Sequence, residues 1–151
     1  MKSDQINATS MFHGLDIISS GLRAEMARSE IVAANLANAG DTGTAEDPPY
    51  MRRSLTFGEM LEQNTGFADA DELAMGVRVA AINTDTETPP RQFFDPGHEH
   101  ADEDGWVLGS NVDMFKELVD MSVIERSYQA DLAAMRTYRQ MINSTIQEMR
   151  R

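Results

Sequence analysis

The chain contains no cysteine, which excludes a disulfide framework, a thiolate metal site and a cysteine nucleophile. Basic residues are scarce: 13 Lys and Arg stand against 25 Asp and Glu in 151 residues, a net charge of −12. That balance gives no footing for neutralising phosphates, so nucleic acid and anionic lipid surfaces are poor partners. Aromatics make up 7% of the chain while Met reaches 11 residues. The apolar material is therefore mostly aliphatic and flexible, and a large jigsaw-packed core is not expected. No apolar run approaches the ~18 residues of a membrane-spanning helix, so no direct membrane insertion is expected. The stretch from Met1 to Ser10 is polar and lacks a basic n-region and an apolar h-region, and no cleaved signal peptide is expected from it. The length suits one domain with at most an appended element.

Charge and helix breakers are concentrated in the middle. Residues 1–40, 41–110 and 111–151 carry net charges of −1, −11 and 0, and all five prolines and seven of the ten glycines fall in the central section. The pattern predicts a discontinuous helical domain, 1–40 with 111–151, around an acidic, Pro/Gly-rich β insert, 41–110. The fold class expected is mainly α.

In the first section Met11, Leu15, Ile18, Leu22, Met26, Val32 and Leu36 recur at three- and four-residue steps with some gaps, which predicts one amphipathic helix over about 10–38. Gly14 and Gly21 stand seven residues apart within it. Each costs about 1 kcal/mol relative to alanine in a helix interior. With Ser10, Ser20, Ala24 and Ala27 nearby, they suggest close approach of another helix. In the last section Leu118, Met121, Glu125, Tyr128, Leu132, Met135, Arg139, Ile142, Ile146 and Met149 alternate steps of three and four. A helix from about Val112 to Met149, capped by Asn111, would be ~57 Å long. Such a helix is longer than a small domain and must find partners for its apolar stripe beyond one companion helix. Glu125 and Arg139 interrupt the stripe, opposite in charge and two heptads apart, so they cannot pair within one straight helix. They either pair between subunits or meet separate partners, for instance Arg23 or Glu25.

Within the insert, Arg53–Phe57, Val77–Ile82, Gln92–Phe94 and Trp106–Leu108 are β-capable runs between Gly, Pro, Asp and Asn clusters, enough for three or four strands. Residues 58–75 are acidic and non-periodic and read as an exposed loop. The run from Asp95 to Gly105, DPGHEHADEDG, sets His98 and His100 among five acids. Imidazole and carboxylate can together bind zinc or manganese, and a metal-dependent enzyme built on His98, His100 and Asp102 is one alternative function. The spacing lacks a third ligand at helical separation, however, and Asp-Pro-Gly is a turn signature, so a solvated hairpin tip is expected. A calcium loop does not fit the spacing. His13 is isolated, no nucleophile motif or phosphate-cradling loop occurs, and Arg52 with Arg53 reads as a strand edge or ion-pair anchor. No catalytic, cofactor-binding or metal-binding residue is expected. A cytoplasmic two-helix adaptor is the other alternative function.

The runs LDIISSGLRAEMARSEIVAANLANAGDTGT, PPYMRRSLTF, GVRVAAI, DPGHEHADEDGWVLGSNVD and VDMSVIERSYQADLAAMRTYRQMINSTIQEM resemble the flagellar rod and hook family, and within it the proximal rod proteins of the FlgC type. The likeness spans nearly the whole chain. The SGLRA and NLANA elements mark the wider family, and the DPGH turn with its acidic run, Gly and aromatic marks this branch. The resemblance implies a non-enzymatic subunit of the shaft that crosses the periplasm and transmits torque from motor to hook. It implies that the terminal helices pair into a coiled-coil-like inner domain, and that subunits stack into a tube. It also implies export, unfolded and uncleaved, by the flagellar type III apparatus. The partners implied are other rod proteins, copies of the chain itself, and MS-ring and export-gate proteins. The expected assembly interface is Leu15, Ile18, Leu22, Met26 and Leu36 on the first helix with Leu118, Met121, Glu125, Tyr128, Leu132, Met135, Arg139, Ile142 and Ile146 on the last.

Overall fold

A computed structural model describes residues 8–63 and 73–150. The polar start as far as Asn7, and residues 64–72 in the middle of the expected loop, lie outside the described residues. Along the chain run α1 (Ala8–Ala37), β1 (Thr42–Gly43), β2 (Arg53–Gln63), β3 (Leu73–Thr84), β4 (Arg91–Phe94), β5 (Trp106–Gly109) and α2 (Met114–Met149). Mainly α is thus correct, with 30 and 36 residues in the two helices.

Two expectations are corrected. Residues 58–63 and 73–75 are strand rather than loop, because β2 and β3 extend toward each other as a two-stranded sheet. Arg53–Phe57 and Val77–Ile82 are strand as expected, and acidity with weak periodicity hid only the continuation of the two strands. The last helix begins at Met114 and is capped by Asp113, not Asn111. The Asp113 carboxylate accepts the amide protons of Phe115 at 3.0 Å and Lys116 at 3.3 Å. Both residues are good caps in isolation, but the Asn111 side chain is taken by other backbone: it accepts from Arg52 N at 2.7 Å and donates to Thr88 O at 3.0 Å.

The chain divides into two compact units. One holds α1 as far as Met26, Phe57–Ala80 and α2 from Glu125; the other holds Ala27–Thr56 and Ala81–Ile124. In the first unit α1 and α2 approach closely at Gly14, where an added Cβ would overlap the Tyr138 ring. At Gly21 the nearest atom is Asp131 Oδ2, at an ordinary 3.5 Å. Residues 14 and 21 thus face 138 and 131, so the two helix segments run antiparallel. Ser20 Oγ accepts the Val77 amide proton at 3.0 Å and ties the ribbon to α1. Leu22, Ala24 and Ile142 are buried in this unit.

In the second unit β1, β5 and β4 form an antiparallel sheet with Phe94 opposite Trp106 and Phe93 opposite Val107. The hairpin between β4 and β5 turns through Gly105, whose φ of 85° favours glycine. Buried hydrophobic residues here are Val32, Ala39, Val107, Val112 and Ile124. They are small and few, as the scarcity of aromatics implied. Arg91 binds the carbonyls of Ala39, Ser110 and Val112 at 3.1, 2.9 and 2.7 Å, which fastens the sheet to the ends of both helices.

The Gly14 contact yields a double-mutant prediction. Alanine should gain about 1 kcal/mol from helix propensity, but only where the Tyr138 ring is gone. Gly14→Ala is therefore expected to raise the thermal midpoint in a Tyr138→Ala background and not in the wild type. Equal gains in both backgrounds would show that the ring imposes no constraint.

Candidate functional site

The most tightly determined polar arrangement is in the second unit and centres on Glu117 in the first turn of α2, whose side chain is 0% exposed. A buried carboxylate costs several kcal/mol unless its oxygens are satisfied. Both are: Arg52 Nε donates to Oε1 at 2.7 Å and Asn35 Nδ2 to Oε2 at 3.0 Å. Asn35, itself fully buried, also donates to Arg53 O at 2.7 Å, while its Oδ1 accepts from Arg53 N and from the Tyr50 hydroxyl, each at 2.9 Å. One amide thus binds the backbone of residue 53 in both directions. Burial pushes the Tyr50 hydroxyl above its ordinary value, with nearby Glu117 adding to the shift and Arg53 opposing it, so the donor is retained. Arg52 reaches on to Asp120 at 3.6 Å, which Arg28 approaches at 3.9 Å. The last turns of α1, the segment 50–53 and the first turns of α2 are joined by this network.

Glu117 and Asn35 are not visible in the sequence because neither breaks a pattern: an acid in a first helical turn suits the helix dipole and reads as solvated. Arg52 is an ion-pair anchor, one of the two roles expected of the Arg52–Arg53 pair. The hairpin tip expected at 95–105 is also correct, since β4 and β5 are its antiparallel arms. His100 Nδ1 lies 2.9 Å from Thr42 Oγ1, and His98 Nδ1 accepts the His100 amide proton at 3.1 Å. No group of three His, Asp or Glu residues poised to hold a metal ion occurs among the described residues.

The residues expected at an assembly interface are spread over several environments. Leu22 and Ile142 are buried, and Leu15, Ile18, Leu36, Met121, Tyr128, Leu132 and Met135 are half-buried. Met26, Leu118, Glu125, Arg139 and Ile146 are exposed. Met121 accepts from Ser29 Oγ at 3.6 Å, and Glu125 accepts from Gln129 Nε2 at 3.1 Å. An apolar surface absent from that set accompanies Leu118: Phe115 is 81% and Val119 63% exposed.

Sequence comparison places the chain in a family. The family model described as "Flagellar basal body rod FlgEFG protein C-terminal" matches residues 103–148. The flagellar basal-body rod protein FlgC of Agrobacterium fabrum is 35% identical over 144 residues, covering 95% of this chain and 94% of the relative. The chain belongs to the FlgC family of flagellar basal-body rod proteins. FlgC of Salmonella typhimurium is 31% identical over 87% of this chain and 92% of its own, and FlgC of Bacillus subtilis 30% identical over 90% and 96%. The family is structural, not enzymatic, and this FlgC-family chain is a rod subunit of the flagellar basal body that assembles with other basal-body components. Neither the metal-enzyme nor the adaptor alternative is favoured.

Two predictions come from this geometry. Glu117→Ala strips Asn35 and Arg52 of a shared acceptor and should lower the unfolding free energy by about 3 kcal/mol, with Glu117→Gln in between because its amide would face a donor. Denaturant unfolding of the full chain checks this, and an unchanged midpoint for both variants would remove the network's structural role. The second concerns acid. Bonds from the Lys116 and Phe115 amides hold the Asp113 carboxyl below its ordinary value, and bonds from the Thr88 amide and hydroxyl, then the Glu87 amide, do so for Asp85. A depressed carboxyl stabilises the fold above its unfolded pKa, about 4, and that contribution is lost as pH falls through the lower folded value. Helicity monitored by circular dichroism from pH 5 downward should fall less steeply in Asp113→Asn, since asparagine caps without titrating. Parallel acid curves would exclude the cap as a contributor.

Proposed function

We propose that the chain occupies the part of the rod that crosses the periplasm, polymerising there with copies of itself and with other rod proteins and passing torque from motor to hook. Residues 1–40 and 111–151 supply the helical rod core, with α1 and α2 paired in a coiled-coil-like manner, and 41–110 form the insert. MS-ring and export-gate proteins are its neighbours at the rod base, and the unfolded chain reaches its place uncleaved through the type III apparatus. Assembly runs through the stripe from Leu15 to Leu36 on α1 and from Leu118 to Ile146 on α2.

The observation that carries this reading is the divided character of the start of α2. One side is committed to the chain's own network through Glu117, Asp120 and Met121. Phe115, Leu118 and Val119 meanwhile leave 81%, 46% and 63% of their surface uncovered. Contiguous exposed apolar surface of this kind marks a site of association. Beside it Arg52, Asn111 and Asp120 line an open cleft with Phe115 and Val119.

Leu118→Asp tests the proposal without breaking the fold, because the side chain is already open to water in the isolated subunit. The variant should fold with an unchanged melting midpoint and be exported, yet fail to appear in detergent-resistant basal bodies and leave cells non-motile. Leu132→Asp, at a half-buried position, should also abolish motility without abolishing export. Normal swimming with Leu118→Asp would dispose of the stripe as an assembly surface.

A further inference from the structure

Among the described residues, the outer face of the β4–β5 hairpin also lacks a partner. Phe94 and Trp106 sit opposite each other across the strands, stack edge to face at 5.6 Å, and leave 61% and 47% of their surface exposed. Val107, on the other face, is fully buried. The aromatic pair is rimmed by the turn that joins the strands, whose Asp95, Glu99, Asp102, Glu103 and Asp104 are all exposed and make no ion pair among the described residues. The turn contains no Lys or Arg. An exposed aromatic face with five negative charges at its edge fits a surface of unpaired guanidinium groups, which satisfy carboxylates and stack on rings alike.

The chain itself carries such a surface. Arg28 and Arg52 are engaged at Asp120, Lys116 at Asp113, and Arg91 on three carbonyls. Arg23 bonds Ser19, Arg78 bonds Glu59 O, and Arg53 lies over the Tyr50 ring. The basic side chains left without such partners among the described residues are Arg126, Arg136 and Arg139 on α2 and Arg150 just past its end. Arg136 and Arg139 are three residues apart and so share one side of the helix. Both are exposed.

The geometry points to a contact between copies in which the outer face of the β4–β5 hairpin of one subunit, through Phe94, Trp106 and the acidic turn, docks on the Arg136–Arg139 side of α2 in a second copy of this chain. Hairpin against hairpin would set five negative charges against five, so the contact joins two different patches. A head-to-tail contact of that kind propagates unless its rotation closes a ring. The inference rests on the rod-subunit reading and adds to it the hairpin face, which lies outside the apolar stripe, as the partner of Arg139 within the stripe and of Arg136 beside it.

Charge reversal tests it in cells carrying the full chain. Glu99 and Glu103 make no hydrogen bond among the described residues, so Glu99→Lys with Glu103→Lys leaves the turn's own bonds in place. That double change and Arg136→Glu with Arg139→Glu should each cost motility and basal-body incorporation at an unchanged melting midpoint, and the combination should recover both. Normal swimming in either set, or a combination no better than the worse set, overturns the docking. So does rescue of Arg139→Glu by Glu125→Arg, which would give Arg139 another partner. If the reversals unfold the subunit, cross-linking decides. The chain has no native cysteine, so Glu103→Cys and Arg136→Cys variants expressed together should form a disulfide in isolated basal bodies at twice the 16.8 kDa chain mass. A cross-link only within one chain, only to a different protein, or none at all overturns the second-copy assignment. Absence of the wild-type chain from basal bodies would overturn the rod reading itself, and the two failures are thus distinguishable.

Discussion

The buried carboxylate of Glu117 is the constraint on which the second unit depends. Its two oxygens are taken by Asn35 and Arg52, residues 82 and 65 positions away in the chain, so the carboxylate is fully satisfied only when α1 and the segment after Pro49 are both in place. A buried ion pair of this kind adds little net stability against an apolar alternative, because desolvation offsets most of the Coulomb gain. What it supplies is exclusivity. A slip of one helix residue would swing the carboxylate about 100° away from both donors and leave a charge unpaired in the interior. With so few large buried side chains, register has to come from directional polar contacts rather than from interdigitation.

That dependence accounts for the two purposes α2 serves along its first turns. The side that meets the network is fixed by hydrogen bonds, so the opposite side is released from core packing and can stay apolar and exposed at Phe115, Leu118 and Val119. In the first unit a different device operates: Gly14 removes a side chain so that the Tyr138 ring can lie against the helix. A glycine that weakens an isolated helix strengthens a pair when the missing Cβ is the space the partner fills. The same two helices are thus held by polar register in one unit and by steric fit in the other.

Both helices were legible in the sequence because a three-four apolar periodicity sustained over thirty residues suits an amphipathic helix and no strand or loop. Gly14 was legible because glycine is costly there without a neighbour. The resemblance to rod proteins was legible in SGLRA, NLANA and DPGH. Glu117 and Asn35 were not, since a first-turn acid and an asparagine near a helix end are both at home on local grounds, and only their joint burial shows otherwise. Asn111 and Asp113 were equally good caps on local grounds, and the choice was made by Arg52 N and Thr88 O, which claim the Asn111 side chain. Of the ribbon of β2 and β3, Arg53–Phe57 and Val77–Ile82 were legible as strand, while 58–63 and 73–75 escaped in an acidic stretch where Met60 is exposed. A strand without a buried face leaves no strict alternation to read.

Charge partition links the fold to assembly. A polymer of subunits that each carry −12 would repel itself if that charge were spread evenly. Instead the terminal sections are nearly neutral and the central section holds −11. Sections of near-zero net charge can be packed side by side with acids available to meet bases, whereas the acidic segment needs water or cationic neighbours. At physiological ionic strength screening acts within about 8 Å, so carboxylates that keep a solvated gap of that size between subunits oppose assembly little. The terminal sections are the ones in which the sequence balances acids against bases, and an acidic section that keeps such a gap sets little limit on how closely they approach.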